Sequence, residues 1–222
     1  MSWMNIWRIP LLFFVAGMGV QFSMRKRSWK QLMGERTMRI FVPLLAGSLV
    51  LIPLHTFLWQ DYYQQDLKYV AHPGHLWFLG NILLYVLALS PLFYYLKKKQ
   101  ETRLPGYLQK LFSSPIGYLG IMSLLIGETY LFTAESYATF AFNLHGFAVG
   151  FIAFLSGYLI VYSGEKAFAY LVRWKWITLG LALGLFLFRW LYFDLAAPNY
   201  LQAIESPLWI LTSLAFAKQF LN

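Results

Sequence analysis

The chain has 222 residues, 59% of them apolar, 20% aromatic and only 12% charged, with a net charge of +9. A soluble domain is about half apolar and about a quarter charged, so this composition excludes an ordinary soluble fold and points to an all-α, polytopic membrane protein filling residues 1–222 as a single domain. The absence of cysteine removes disulfides and thiolate metal sites, and no basic-aromatic stretch outside the apolar runs offers a surface for nucleic acid.

Seven apolar stretches follow one another: Ile9–Met24, Ile40–Leu58, Leu76–Leu96, Ile116–Phe132, Ala138–Tyr162, Trp176–Phe193 and Pro207–Leu221. A spanning helix needs about 20 such residues. Helix is the form expected, because lipid cannot satisfy a free backbone. Outer-membrane barrels alternate over segments of about ten residues, and these runs are continuous. Pro43, Pro53 and Pro91 are expected to kink their helices. Gly17, Gly19, Gly47, Gly150, Gly157, Gly180 and Gly184 are expected to allow close helix contact.

The gaps between these stretches are sharply asymmetric. The odd gaps hold fourteen Lys and Arg, from Arg25 to Arg39, from Lys97 to Lys110 and from Lys166 to Lys175; the even gaps hold one, Lys68. The fourth and sixth gaps carry Glu135 and Glu205 instead. Basic residues collect on the cytoplasmic side of a membrane, so the odd gaps are expected inside and the even gaps outside. The N-terminus then falls on the extracytoplasmic side without a cleavable signal. That is simplest if one more helix precedes Ile9.

A polar residue inside a span costs a few kcal/mol unless it is paired. Glu128, His145 and Arg189 are three such residues. For Glu128 and Arg189 the plain reading is an interhelical pair or an interfacial position, and for His145 a hydrogen-bonded interior imidazole. The functional reading of all three is a polar cavity in the bundle. His72 and His75 stand three apart, but no third ligand follows at zinc-like spacing, and no metal site is expected. There is no phosphate loop, nucleophile elbow or HExxH.

Two stretches carry more. Arg36 and Arg39 are three apart at the mouth of a helix, where an α-helix puts them on one face as a fork for phosphate or carboxylate. Ordinary anchoring at a span's end is the alternative. His75-Leu76-Trp77-Phe78-Leu79 opens the third span. It reads either as an aromatic belt or as a rim for a polyol, using a Trp face and a His donor.

Together these stretches resemble the acyltransferase 3 family. Trp7-Arg8-Ile9-Pro10-Leu11-Leu12-Phe13-Phe14-Val15-Ala16-Gly17-Met18-Gly19 is similar to the signature of that family's second helix. Arg36 to Pro43 resembles the motif opening the third, and His75 to Leu79 the entry to the fourth. The wording is closest to the subgroup containing the glucan biosynthesis succinyltransferase. The resemblance implies a bacterial inner-membrane enzyme of about ten helices that moves an acyl group from a cytoplasmic acyl-CoA-type donor to a hydroxyl of a glycan or other extracytoplasmic acceptor. The donor is a substrate, and no cofactor is implied. Arg36 and Arg39 then bind the donor, while His75 and Trp77 lie on the acceptor side. The family's essential histidine sits in a first helix, which does not correspond to any stretch here, and Ala16 stands where a serine is usual. This implies a partial domain, cut at both ends, with His145 and His75 as the only stand-ins for the catalytic base. A transporter or flippase, and an inactive truncated paralogue, are the competing classes.

Overall fold

The structure, a computed structural model, describes residues 2–99, 103–132, 136–193 and 197–220. Glu135 and the expected end of the last span at Leu221 lie outside them. The described residues form helices and connecting segments with no strand. Contacts divide the chain into two compact units, one of residues 1–22 and 95–222 and the other of residues 23–94.

Helix α1 runs Ser2–Lys26, longer than its apolar core and continuous through Pro10. Ser28 then caps the next helix: its hydroxyl accepts from the Gln31 N–H while Gln31 reaches back to the Ser28 N–H, a capping box. The helix so started, α2, is continuous over Trp29–Tyr62. The basic gap expected between Met24 and Ile40 is therefore two helix ends joined at Arg27 and Ser28, and Arg36 and Arg39 lie well inside α2. Basic residues do not break a helix when their heads remain exposed.

Pro43 and Pro53 do not stop α2. A helical proline clashes with the carbonyl four residues back and lacks the N–H that would bond it. Two widened π-helical turns, Thr37–Phe41 and Gly47–Leu51, lie immediately before the two prolines and take up the misfit. Past Tyr63, a 3-10 turn at Gly74–Leu76 leads into α3, Trp77–Lys98. In α3 the carbonyl displaced by Pro91 is that of Leu87, and the Ser90 hydroxyl donates to it at 2.8 Å.

Helix α4, Leu104–Phe112, meets α5, Pro115–Leu131, at 82°. Pro115 sets the bend, since proline opens a helix readily but cannot continue one. Helix α6 is Leu144–Ser163. Its start corrects the expected Ala138: Asn143 accepts from the Gly146 N–H at 2.6 Å, and this cap ends the loop. Gly164, with φ of 85°, separates α6 from α7, Glu165–Phe193. The basic residues Lys166, Arg173 and Lys175 are thus helical too. Helix α8 is Asn199–Phe220.

Among the described residues, five helices are long and apolar enough to cross a membrane, or six if the bent α4–α5 pair is one span. The seventh stretch, α8, is helical but not apolar enough to be counted with them. It buries Gln202, Glu205, Ser206 and Thr212 and is covered chiefly by α7 and α5.

Small residues set the closest crossing in the larger unit. A methyl group on Gly17 would lie 1.9 Å from the Phe154 carbonyl oxygen, and one on Gly157 would lie 2.0 Å from that of Phe14. Helices α1 and α6 therefore touch backbone to backbone, the contact that small residues permit between membrane helices. Gly180 and Gly184 do not behave this way: nothing lies within 4 Å of a Cβ added at either.

Candidate functional site

In the smaller unit the cationic cluster is built where α1 ends and α2 begins. Six basic residues and one acidic residue lie between positions 25 and 39. The acidic one, Glu35, pairs with Arg27. Arg36 is half-buried and donates to the Ser23 hydroxyl at 3.0 Å. Arg39 and Arg27 repel its charge, and Glu35 attracts it. Arg39 is exposed. Because Thr37–Phe41 is a π turn, wider than an α turn, Arg39 is rotated away from the α-helical position the spacing predicts. The two charges remain electrostatically coupled. The positive density suits a polyphosphate, which a guanidinium binds through its planar donors.

His75 and Trp77 enter α3 beside the middle of the α2 apolar stretch. His75 is exposed and Trp77 half-buried. The turn that holds them packs on α2 itself. A methyl on Gly47 would lie 2.1 Å from Leu76 Cδ1, and one on Gly74 would lie 2.8 Å from Ile52 Cδ1. Gly74 has φ of 47°, a conformation glycine adopts at little cost. The preceding segment runs back along α2. The Lys68 N–H donates to Gln60 Oε1 at 2.9 Å, and the Tyr69 hydroxyl donates to the Leu49 carbonyl at 2.8 Å. The rings of Tyr69 and Phe57 are 6.3 Å apart. His72 is engaged locally, its Nδ1 accepting from the Gly74 N–H. No group of three metal-ligating side chains occurs among the described residues. His55, which sequence reasoning did not single out, stands exposed on α2; its one signal was an ionisable group within an apolar run.

In the larger unit the buried polar residues form two pairs, with partners the sequence did not reveal. Glu128, in the last turn of α5, binds His145, in the first turn of α6: Oε1 and Nδ1 are 2.8 Å apart, and both side chains are 2% exposed. The other ring nitrogen, Nε2, lies 2.9 Å from the Tyr137 carbonyl oxygen. A carbonyl only accepts, so Nε2 carries the proton, and the Nδ1–Glu128 contact holds a second. Neither nitrogen retains a lone pair for a substrate. As arranged, both ring nitrogens of His145 are engaged and the residue pins the 136–143 loop.

Tyr137 is the centre of that loop. Its N–H donates to Asn199 Oδ1 at 2.9 Å, which ties the start of α8 to the same cluster. The ring of Phe140 stacks on that of His145 at 5.7 Å. Burial pushes the Tyr137 phenol up, the Ser206 hydroxyl acts against this, and the Glu128 charge adds to it. Ser206 is near enough to act on the phenol, yet neither hydroxyl makes a hydrogen bond of normal geometry.

Arg189 of α7 pairs with Glu205 of α8. Nε meets Oε2 at 2.8 Å, a second guanidinium nitrogen meets Oε1 at 3.3 Å, and Trp209 Nε1 donates to Oε1 at 3.1 Å. Both charged side chains are 1% exposed. Trp209 in turn stacks on Trp7 of α1 at 6.3 Å. The arginine does not snorkel out of the bundle.

Helices of this length and apolarity, with buried ion pairs between them, define a polytopic membrane protein. The acyltransferase domain of the acyltransferase 3 family matches residues 4–217, nearly the whole chain, and the chain belongs to that family. It is a membrane acyltransferase by descent. No curated protein matches it, and no solved structure does.

Proposed function

We propose that the protein is a membrane O-acyltransferase of the bacterial inner membrane, taking its acyl group from a cytoplasmic acyl-CoA-type donor and delivering it to a hydroxyl of a glycan or other extracytoplasmic acceptor. The observation that carries the donor half is the α1–α2 junction, where residues 25–39 hold six basic residues and one carboxylate, and that carboxylate is engaged by Arg27. Arg36 and Arg39 bind the donor's phosphates there. The ends of the helices that carry the basic residues face the cytoplasm by the positive-inside rule.

The acceptor half rests on His75 and Trp77, at the turn into α3 that packs on α2, the helix carrying the arginines. Gly47, beside Leu76, is eight residues from Arg39, or about 12 Å at the α-helical rise. One helix thus carries both ends of a transfer path. In the reaction the thioester C–S bond breaks and an ester C–O bond forms. The hydroxyl loses a proton to a base other than His145, and the thiol leaving group gains one. Fixing donor and acceptor along one helix lowers the entropic part of the barrier.

The test is acylation of the native acceptor in membranes carrying Arg36→Ala or Arg39→Ala. Loss of product with unchanged protein level and melting temperature is expected. Unchanged product on glycan mass analysis would overturn the donor role.

A further inference from the structure

The apolar stretch of α2, Ile40–Leu58, has its midpoint at Leu49. From Leu58 to Leu49 is about 14 Å of helix, roughly half the hydrocarbon thickness of a bilayer. Yet Leu49 is where the Tyr69 hydroxyl binds, and the turn at Gly74–Leu76 packs against Gly47 and Ile52. The segment from Gln64 to His75 therefore does not stay beyond the end of α2. It descends beside the helix to the middle of its apolar stretch.

That segment leaves a turn at Gln64, is irregular from Gln65, and is exposed from Gln64 to His72. Among the described residues, the backbone N–H groups of Asp66, Leu67, Tyr69, Val70, Ala71 and His72 have no protein acceptor. In hydrocarbon each such group costs several kcal/mol, and irregular backbone persists at membrane depth only inside protein or against water. Elsewhere on the same helix Leu51 and Leu54 are 64% and 54% exposed, and apolar faces of that kind belong in lipid. One helix thus has a side fit for lipid and a side that needs water.

The end of α2, where the segment begins, carries a cluster of rings. The rings of Trp59 and Tyr63 are 4.6 Å apart and tilted, and those of Tyr62 and Tyr63 are 5.0 Å apart and nearly perpendicular. Asp61 and Asp66 stand beside them, exposed, and neither carboxylate is in an ion pair among the described residues. Aromatic faces angled to one another, with exposed carboxylate acceptors nearby in the chain, suit a neutral, hydroxyl-rich molecule.

We infer that Gln64–His75 lines a water-filled vestibule that reaches the mid-depth of α2 and admits a hydroxyl-rich solute of the carbohydrate class. The identity of that solute as acceptor rests on the proposed acyl transfer; the vestibule itself does not.

The chain has no cysteine, so single thiols report without background. Val70→Cys and His72→Cys are treated in sealed membranes with a charged, membrane-impermeant thiosulfonate added on the side opposite the basic residues, and Leu51→Cys and Leu54→Cys serve as comparisons. The thiolate that reacts exists only in water, so positions 70 and 72 are expected to react about ten times faster than 51 and 54, or more. Unreactive 70 and 72 would overturn the vestibule. So would equal reactivity at all four, which would mean that this part of α2 projects from the bilayer. A linear glucose oligosaccharide is expected to slow labelling at 70 and 72, and Trp59→Ala to remove that protection; labelling unaffected by the sugar would overturn the assignment of the solute. Acyl transfer measured on the same membranes separates the two ideas. Labelling as expected without transfer leaves the vestibule standing and removes the enzyme reading, while transfer without labelling does the reverse.

Discussion

The hydroxyl of Tyr69 donates to the carbonyl of Leu49, the group four residues before Pro53 that proline displaces from the helical ladder. A defect in one element is thus satisfied by a side chain from another. The same device recurs in α3, where Ser90 serves the carbonyl displaced by Pro91. Membrane helices tolerate proline when a side chain takes up the freed acceptor.

Tyr69→Phe removes the donor and leaves the carbonyl, so it is expected to destabilise the protein by about 1 kcal/mol. Pro53→Ala restores the helical bond and removes the need for the hydroxyl. In the Pro53→Ala background, Tyr69→Phe should therefore cost close to nothing, and a double-mutant cycle of melting temperatures checks this. Equal costs in both backgrounds would refute the coupling.

Glu128→Ala leaves a buried imidazole beside an empty site, and His145→Ala leaves a buried carboxylate. Each is expected to cost about 3–5 kcal/mol, the usual effect of breaking a buried pair on one side. Replacing both should cost clearly less than the sum. Thermal unfolding in a fixed detergent reads this, along with faster proteolysis of the 136–143 loop that His145 holds.

Arg189→Lys keeps the charge but loses the second donor to Glu205 and the planar fork. An ammonium cannot reproduce the two-point contact, so a loss of about 2 kcal/mol or more is expected. Glu205→Gln should cost at least as much, because it strands the guanidinium. Stability near the native value for both variants would contradict the pairing.

Gly17→Val and Gly157→Val place side chains where backbone oxygen already lies within about 2 Å of a Cβ, so either should prevent α1 and α6 from closing and abolish the folded fraction in size-exclusion analysis. Gly180→Leu and Gly184→Leu meet open space and should fold normally.

The helices were largely legible from the sequence because apolar runs of 15 or more residues leave a chain in lipid no other regular form. Their ends were not. Asn143 stops α6 short of Ala138 through one side-chain bond to the backbone, a local signal hidden within an apolar run. At the other extreme, α2 extends back to Trp29 through charged residues, since a capping box at Ser28 outweighs hydropathy. Among the site residues, the unusual status of Glu128, His145 and Arg189 was visible from their setting. Their partners were not, because the pairing of α5 with α6 and of α7 with α8 is decided by packing. The glycines show the same limit: Gly157 is pressed against backbone and Gly184 is not, though nothing in their neighbours' identities distinguishes them. The segment beside α2 was read as an outer loop, since no periodicity records that it folds back along the helix.

The central claim is that an acyl donor is held at Arg36 and Arg39 for transfer to a hydroxyl. It is tested most directly by supplying native membranes with an isotopically labelled acyl-CoA and following label into ester linkage on the glycan fraction. The account predicts ester-bound label with the unaltered protein and none with Arg36→Ala/Arg39→Ala at equal abundance and melting temperature. Equal labelling by the two proteins, or no ester-bound label from either, would contradict it.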